Sequence, residues 1–118
     1  MRYTDLLYAL YMTFFRIQPA ARDTALLLDE DTWESRNWND EWAPARHGVS
    51  ACGSIDELVS YFRTASGWVD EDCVVVELAG YYSHEDDEDA HAGALLICPT
   101  RIVSVTPVSD KLIERIYA

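Results

Sequence analysis

The stretch Ala94-Leu95-Leu96-Ile97-Cys98-Pro99-Thr100-Arg101-Ile102-Val103-Ser104-Val105 is rich in apolar and β-branched residues. Its two apolar runs flank Cys98-Pro99-Thr100, and this triplet is turn-like because proline fixes φ and removes a backbone donor. We therefore expect two strands, at residues 94–97 and 101–105, paired across that turn.

Strand patterns recur on the amino-terminal side of this stretch. Residues 73–78 form a β-branched run that stops at Gly80, and residues 12–17 alternate in strand fashion until Pro19. Together these segments predict a small, twisted and mostly antiparallel sheet.

Helix signals lie between and after the expected strands. Ser54-Ile55-Asp56-Glu57 is a capping box, in which Ser54 accepts from the Glu57 amide and Glu57 reaches back to the Ser54 amide. The sequence predicts an α+β fold with two or three short helices and one domain over residues 1–118. The expected helical segments run from Ser54 to about Ala65, from a cap at Ser109 or Asp110 onward, and over the shorter stretches 4–10 and 24–28.

The chain of 118 residues carries 21 acidic and nine basic side chains, a formal net charge of −12, and is 49% apolar. The apolar content supports an ordered core and argues against a disordered acidic tail. Phosphate backbones and anionic membranes should be repelled, since no run of basic residues offsets the charge. We expect no direct nucleic-acid binding, no membrane association and, if there is a partner, a basic protein.

The cysteines and the first residues of the chain indicate the cellular compartment that we expect for the protein. Cys52, Cys73 and Cys98 are widely spaced, odd in number and set in apolar stretches, which favours reduced core residues over a disulfide framework or a thiol-rich zinc site. The first residues lack a signal-peptide pattern, and the apolar stretch 6–15 is too short to span a bilayer. We expect a cytoplasmic protein.

Two stretches resemble parts of the ADP-ribosyltransferase-like fold, including its RES-type members. Phe14-Phe15-Arg16-Ile17 is similar to the opening strand whose arginine contacts the dinucleotide, and Gly93 to Val105 resembles the closing hairpin. Between them, the pattern of residues 47–61 predicts a strand, a capped turn and a helix. The resembled fold has the same elements in the same order. The resemblance covers about half of the chain and implies NAD as the cofactor, with Arg16 on the dinucleotide.

The same alignment shows departures from that pattern. The catalytic glutamate of the resembled proteins falls on Gly93 and the accessory acid or amide on His91, while Ser50 and Tyr61 take the places of an aromatic residue and a helical acid. A carboxylate at the first position stabilises the oxocarbenium-like state as nicotinamide leaves, and glycine cannot replace it. Whether the chain is an enzyme is therefore open.

Several residues are candidates for a site around the dinucleotide. Arg16, Glu77 and His91 form the candidate catalytic set, and Arg16, Ser50 and Trp38 the candidate cofactor contacts. Two of them have an ordinary structural alternative: Arg16 as an edge-strand arginine paired with an acid, and Glu77 as an outward-facing strand residue. Trp38 lies with Trp33 and Trp42 in a segment without a clean period, where tryptophans also serve as hydrophobic anchors of a long loop.

A run of five acids stands between two histidines. Glu85, Asp86, Asp87, Glu88 and Asp89 follow His84 and precede His91. The run lacks the glycine and the ligand spacing of an EF-hand loop, so we expect no metal; a partner-facing acidic patch and a solvated loop stay open.

The leading hypothesis is a small ADP-ribosyltransferase-like domain, either a degenerate NAD-handling enzyme or a catalytically silent binding relative. If active, it would cleave the nicotinamide–ribose bond, with an acid from Glu77 or from the 85–89 run near the ribose. The alternative is an acidic inhibitor or interaction protein, such as a phage-type antagonist that mimics nucleic acid, acting by protein binding.

Overall fold

The computed structural model describes residues 12–35, 46–64, 68–83 and 90–118. In this part of the chain there are six strands, two α-helices and three 3-10 helices. The strands are β1 (Thr13–Pro19), β2 (Glu34–Ser35), β3 (Arg46–His47), β4 (Val49–Ala51), β5 (Cys73–Tyr82) and β6 (Leu95–Pro107). The helices are α1 (Ile55–Thr64) and α2 (Asp110–Tyr117), and the 3-10 helices span Thr24–Leu28, Glu30–Thr32 and Ala90–Ala92.

The main sheet has four strands in the order β1-β5-β6-β4, and every pairing in it is antiparallel. A separate two-stranded ribbon joins β2 to β3. The expected α+β class with an antiparallel sheet is confirmed. The strands that hold Arg16 and Val103 belong to this one sheet, as predicted.

The expected turn at Cys98-Pro99-Thr100 is wrong, because β6 runs through it as one strand of 13 residues. The strand absorbs the irregularity as bulges, since Thr100 and Val103 have no residue opposite them on β5. Pro99 lies beyond the segment that pairs with β4, so its missing N–H removes no hydrogen bond to that strand.

The two outer strands of the sheet approach each other at one point. The Phe15 amide donates to the Cys52 carbonyl at 2.7 Å, and the Cys52 amide donates to the Phe15 carbonyl at 2.8 Å. This bridge brings β1 to the end of β4 although the sheet order separates them.

Two apolar clusters occupy the two faces of the sheet, as strand alternation requires. The first contains Phe14, Val76, Leu78 and Ile97, and Leu27 and Trp33 pack into it from the segment before β2. The second contains Ile17, Cys52 and Val69 together with the inward sides of α1 and α2. The three cysteines are buried and free, as expected.

Both α-helices begin at serine caps. The Ser54 hydroxyl accepts from the Glu57 amide at 3.1 Å, but the Glu57 carboxylate accepts from the Gly53 amide at 3.0 Å and not from Ser54. The predicted reciprocal bond is therefore shifted by one residue. Ser109 caps α2 by accepting from the Leu112 amide, and Leu112 and Ile116 face the second cluster.

The expected helical segment at residues 24–28 is confirmed as a 3-10 helix, whereas residues 4–10 lie outside the described part. In the segment expected to be a long loop, the described residues include a second 3-10 helix and β2. None of the described helices has the length and apolar character that crossing a membrane requires.

Candidate functional site

Arg16 connects the two outer strands of the sheet beside the bridge. One terminal guanidinium nitrogen, Nη1, donates to the Ser50 carbonyl on β4 at 3.0 Å. Its Nε donates to the Gln18 Oε1 atom at 3.1 Å. These two bonds fix the position of a half-buried guanidinium, so little rotamer entropy is left to lose when a ligand binds.

Gln18 extends this polar chain into the protein. Its side chain is 2% exposed, and its Nε2 atom donates to the Arg22 carbonyl at 3.2 Å. Both ends of the buried amide are thereby hydrogen-bonded, as burial of a polar group demands. The chain of contacts therefore runs from Arg22 through Gln18 and Arg16 to Ser50.

Two cavities meet at the contact between Arg16 and Ser50. The first, of about 120 Å³, lies between β1, β4 and α1 and has a mainly apolar lining that includes Cys52, Leu58, Tyr61, Phe62 and Ala94. The second, of about 240 Å³, lies between β1, β4 and the first 3-10 helix and is lined by Arg22, Asp23, Thr32 and Trp33, among others. Because Arg16 and Ser50 line both cavities, a ligand in either cavity lies beside these two residues.

The second cavity concentrates positive charge on an acidic protein. Arg16 and Arg22 both line it, and Asp23 is the acid among its described lining residues. The Asp23 carboxylate caps the first 3-10 helix by accepting from the Ala25 amide at 2.9 Å. The arrangement suits an anion with several oxygen acceptors, since guanidinium groups bind phosphate and carboxylate through charge-assisted hydrogen bonds.

The structure brings only part of the predicted site together. Ser50 meets Arg16, but through its backbone carbonyl. Glu77 lies between Val76 and Leu78, which both belong to the first cluster. Its side chain therefore projects from the opposite face of the sheet, the face of the second cluster. Arg16 pairs with Val76 and shares its face, and therefore Arg16 and Glu77 point to opposite sides of the sheet.

His91 lies in the third 3-10 helix with an exposed side chain, and it lines neither cavity. Two residues later, Gly93 has φ +99°, a conformation that side chains rarely adopt. A glutamate at position 93 would strain this backbone. The local conformation thus accounts for glycine at position 93.

Some predicted residues fall outside the described part of the chain. They are Trp38 and the acidic run Glu85, Asp86, Asp87, Glu88 and Asp89. Trp33, from the same segment as Trp38, is buried and donates its indole N–H to the Leu27 carbonyl at 2.8 Å, so it serves as an anchor. Over the described ranges, no three His, Cys, Asp or Glu residues cluster as a metal site would need.

Other titratable groups lie away from the two cavities. The His47 Nδ1 atom is 2.6 Å from a Glu34 carboxylate oxygen, which joins β2 to β3. Burial raises the pKa of the Cys98 thiol, and its hydrogen bond with Tyr81 opposes that rise. A thiol with a raised pKa is a poor nucleophile, which agrees with a structural role for Cys98.

Sequence reasoning missed Gln18 and Arg22. The available signal for Gln18 was its spacing, because residues two apart on a strand share a face and Gln18 stands two after Arg16. No strand spacing could have identified Arg22, since it lies after the end of β1. The turn after Pro19 brings it to the second cavity.

Comparison with protein-family models, with curated proteins and with solved structures finds no match to this chain.

Proposed function

We propose that this chain binds a phosphate-bearing ligand of the dinucleotide class, with NAD as the ligand to test first, and does not cleave it. The observation that carries the proposal is the position of Arg16, whose guanidinium is fixed to Ser50 at the wall shared by two cavities. The resemblance to ADP-ribosyltransferase-like proteins supplies the dinucleotide class, because their opening-strand arginine contacts that ligand.

The two linings suit the two chemical parts of such a ligand. Tyr61, Phe62 and Leu58 offer apolar and aromatic surface to a planar ring, while Arg16 and Arg22 offer donors to phosphate oxygens. Each cavity is below the roughly 300–1,000 Å³ of a typical small-molecule pocket. A dinucleotide would therefore place one part in each cavity, with its linking atoms beside Arg16.

The placement of the acids favours binding over cleavage. Departure of nicotinamide leaves positive charge on the ribose, and a carboxylate beside the ribose must stabilise that charge. Glu77 lines neither cavity, Gly93 has no side chain, and Asp23 is engaged as a helix cap. These positions support a catalytically silent relative.

Isothermal titration calorimetry with NAD tests the proposal, with nicotinamide release assayed on the same samples. Arg22→Gln is the informative variant, since its side chain is exposed and its backbone contacts do not depend on it. Arg101→Gln is the matched control, because it removes the same charge from an exposed residue that lines neither cavity. We expect Arg22→Gln to weaken binding roughly tenfold, since a hydrogen bond to a charged group contributes about 1.5 kcal/mol.

Three results would contradict parts of this proposal. Absence of heat with NAD in the parent protein would remove the ligand class and favour the acidic interaction protein instead. Equal weakening by Arg22→Gln and Arg101→Gln would show that overall charge, and not the second cavity, governs affinity. Release of nicotinamide above the buffer rate would make the protein an enzyme.

A further inference from the structure

Trp68 and Tyr117 form an aromatic pair on the surface of the protein. Trp68 is 79% exposed and Tyr117 is 51% exposed. Their ring centroids are 6.2 Å apart with an angle of 58° between the ring planes. Large solvent-exposed aromatic side chains are typical of protein-binding surfaces, where Trp and Tyr contribute much of the binding affinity.

Hydrogen bonds hold this pair in place. The Tyr117 hydroxyl donates to the Val69 carbonyl and accepts from the Val69 amide, both at 3.0 Å. Val69 itself is buried in the second cluster, and the Trp68 indole N–H donates to the Asp70 carboxylate at 3.1 Å. Because the polar end of each ring already has a partner, the ring faces are what remains for a ligand to contact.

The charges beside the pair are negative. Asp70, Glu71 and Asp72 begin two residues after Trp68, and the sequence contains no Lys or Arg between Arg63 and Arg101. Arg63 donates to the Ala118 carbonyl, and Arg115 forms an ion pair with Asp56 at 2.7 Å. The two arginines on the adjoining helices are therefore hydrogen-bonded within this chain.

We propose that Trp68 and Tyr117 dock an arginine-bearing segment of a partner protein. The guanidinium group would stack on the exposed ring faces, while Asp70, Glu71 and Asp72 complement its charge. Arginine fits better than lysine because its planar group can stack and hydrogen-bond at the same time. The proposal is independent of NAD binding, since none of these residues lines the two cavities.

Titration of the isotopically labelled protein with a short oligoarginine peptide tests this surface. We would work at an ionic strength of about 0.3 M, where the Debye length is about 6 Å and diffuse attraction is weak. We expect the largest NMR shifts at the Trp68 indole and the Val69 amide, and a Kd about five-fold higher for Trp68→Ala. Trp68→Phe should lose less affinity for the oligoarginine peptide than Trp68→Ala does. An oligolysine peptide should bind weakly, and with equal affinity, to the parent and to Trp68→Ala.

Tyr81→Ala is the matched control, since Tyr81 is an exposed aromatic residue on β5 and should leave the Kd unchanged. Because Trp68 is mostly exposed, an unchanged melting temperature should confirm that Trp68→Ala folds. Equal affinity of parent and Trp68→Ala, or an equal loss in Tyr81→Ala, would overturn the proposal. Self-association of the parent that Trp68→Ala abolishes would assign the surface to a second copy of this chain and likewise overturn it.

Discussion

Gly80 on β5 stands opposite Pro99 in the bulged part of β6. A Cβ atom at this position would stand 2.5 Å from the Cys98 carbonyl oxygen and 3.0 Å from the Pro99 Cα atom. Both neighbours are backbone atoms and cannot rotate away. The passage of β6 through Pro99 thus requires that the facing residue have no side chain.

Replacing Gly80 with alanine should lower the free energy of unfolding by about 1–3 kcal/mol, the usual cost of forcing an extra methyl group into a packed site. Urea denaturation monitored by circular dichroism would measure this decrease in unfolding free energy. Gly53→Ala is the control, because its Cβ would meet the movable Glu57 carboxylate and no backbone atom. Matching midpoints for the two variants would show that β6 can shift away from Gly80.

At the same scale, the position of Arg16 on a strand could be predicted from local alternation, but its contacts could not. The Ser50 carbonyl lies 34 residues away in sequence and comes into reach only because β1 and β4 meet at the Phe15–Cys52 bridge. The opposite orientation of Glu77 likewise depends on its register with β1 and on the burial of Val76 and Leu78. No local pattern contains that information.

Among the elements, α1 begins at a cap made of neighbouring residues. The Ser54 hydroxyl accepts from the Glu57 amide, and the Ser54 carbonyl accepts from the Leu58 amide at 3.0 Å. Ser54→Ala should therefore cost about 1 kcal/mol of unfolding free energy, since an orphan N–H loses its acceptor. Chemical denaturation of parent and variant would measure the difference.

Ser60→Ala provides the comparison within the same helix. Ser60 is exposed in the middle of α1, and alanine is the better helix former, so this change should be neutral or slightly stabilising. If both substitutions shift the denaturation midpoint alike, the cap does not contribute.

Local sequence signals determine where the helices begin, but they do not determine whether a strand continues. The starts of α1 and α2 were predictable because each capping serine lies three residues before the backbone amide that donates to it. The continuity of β6 was not predictable, because a proline inside a strand is tolerated only at an unpaired edge, at the first residue of a strand or at a bulge. The shortness of β4 and the glycine facing Pro99 supply that tolerance, and both are distant in sequence.

For the whole molecule, a formal charge of −12 on 118 residues implies self-repulsion in the folded state. Sodium chloride should raise the melting temperature, because screening at 0.1 M acts over about 10 Å. Magnesium chloride at the same ionic strength should have the same effect if the Glu85–Asp89 acids form no ion site. Thermal denaturation in both salts would measure the two responses.

A variant with Asp86, Asp87 and Asp89 changed to Asn should respond less to sodium chloride, since it carries fewer repelling charges. A gain specific to magnesium in the parent would contradict the expectation that no metal binds. Loss of that gain in the variant would locate the ion at this run.

The pairing of β1 with β5 and with Cys52 also bears on how the chain acquires its structure. Among the described residues, every strand that β1 contacts comes later in the sequence, and α1 and β2–β4 all intervene before β5. During synthesis the Phe14-to-Ile17 segment therefore leaves the ribosome long before β5 can cover it. Distant pairings of this kind slow folding and prolong the exposure of apolar strands, so the amino-terminal segment is where we expect nascent chains to need chaperone protection.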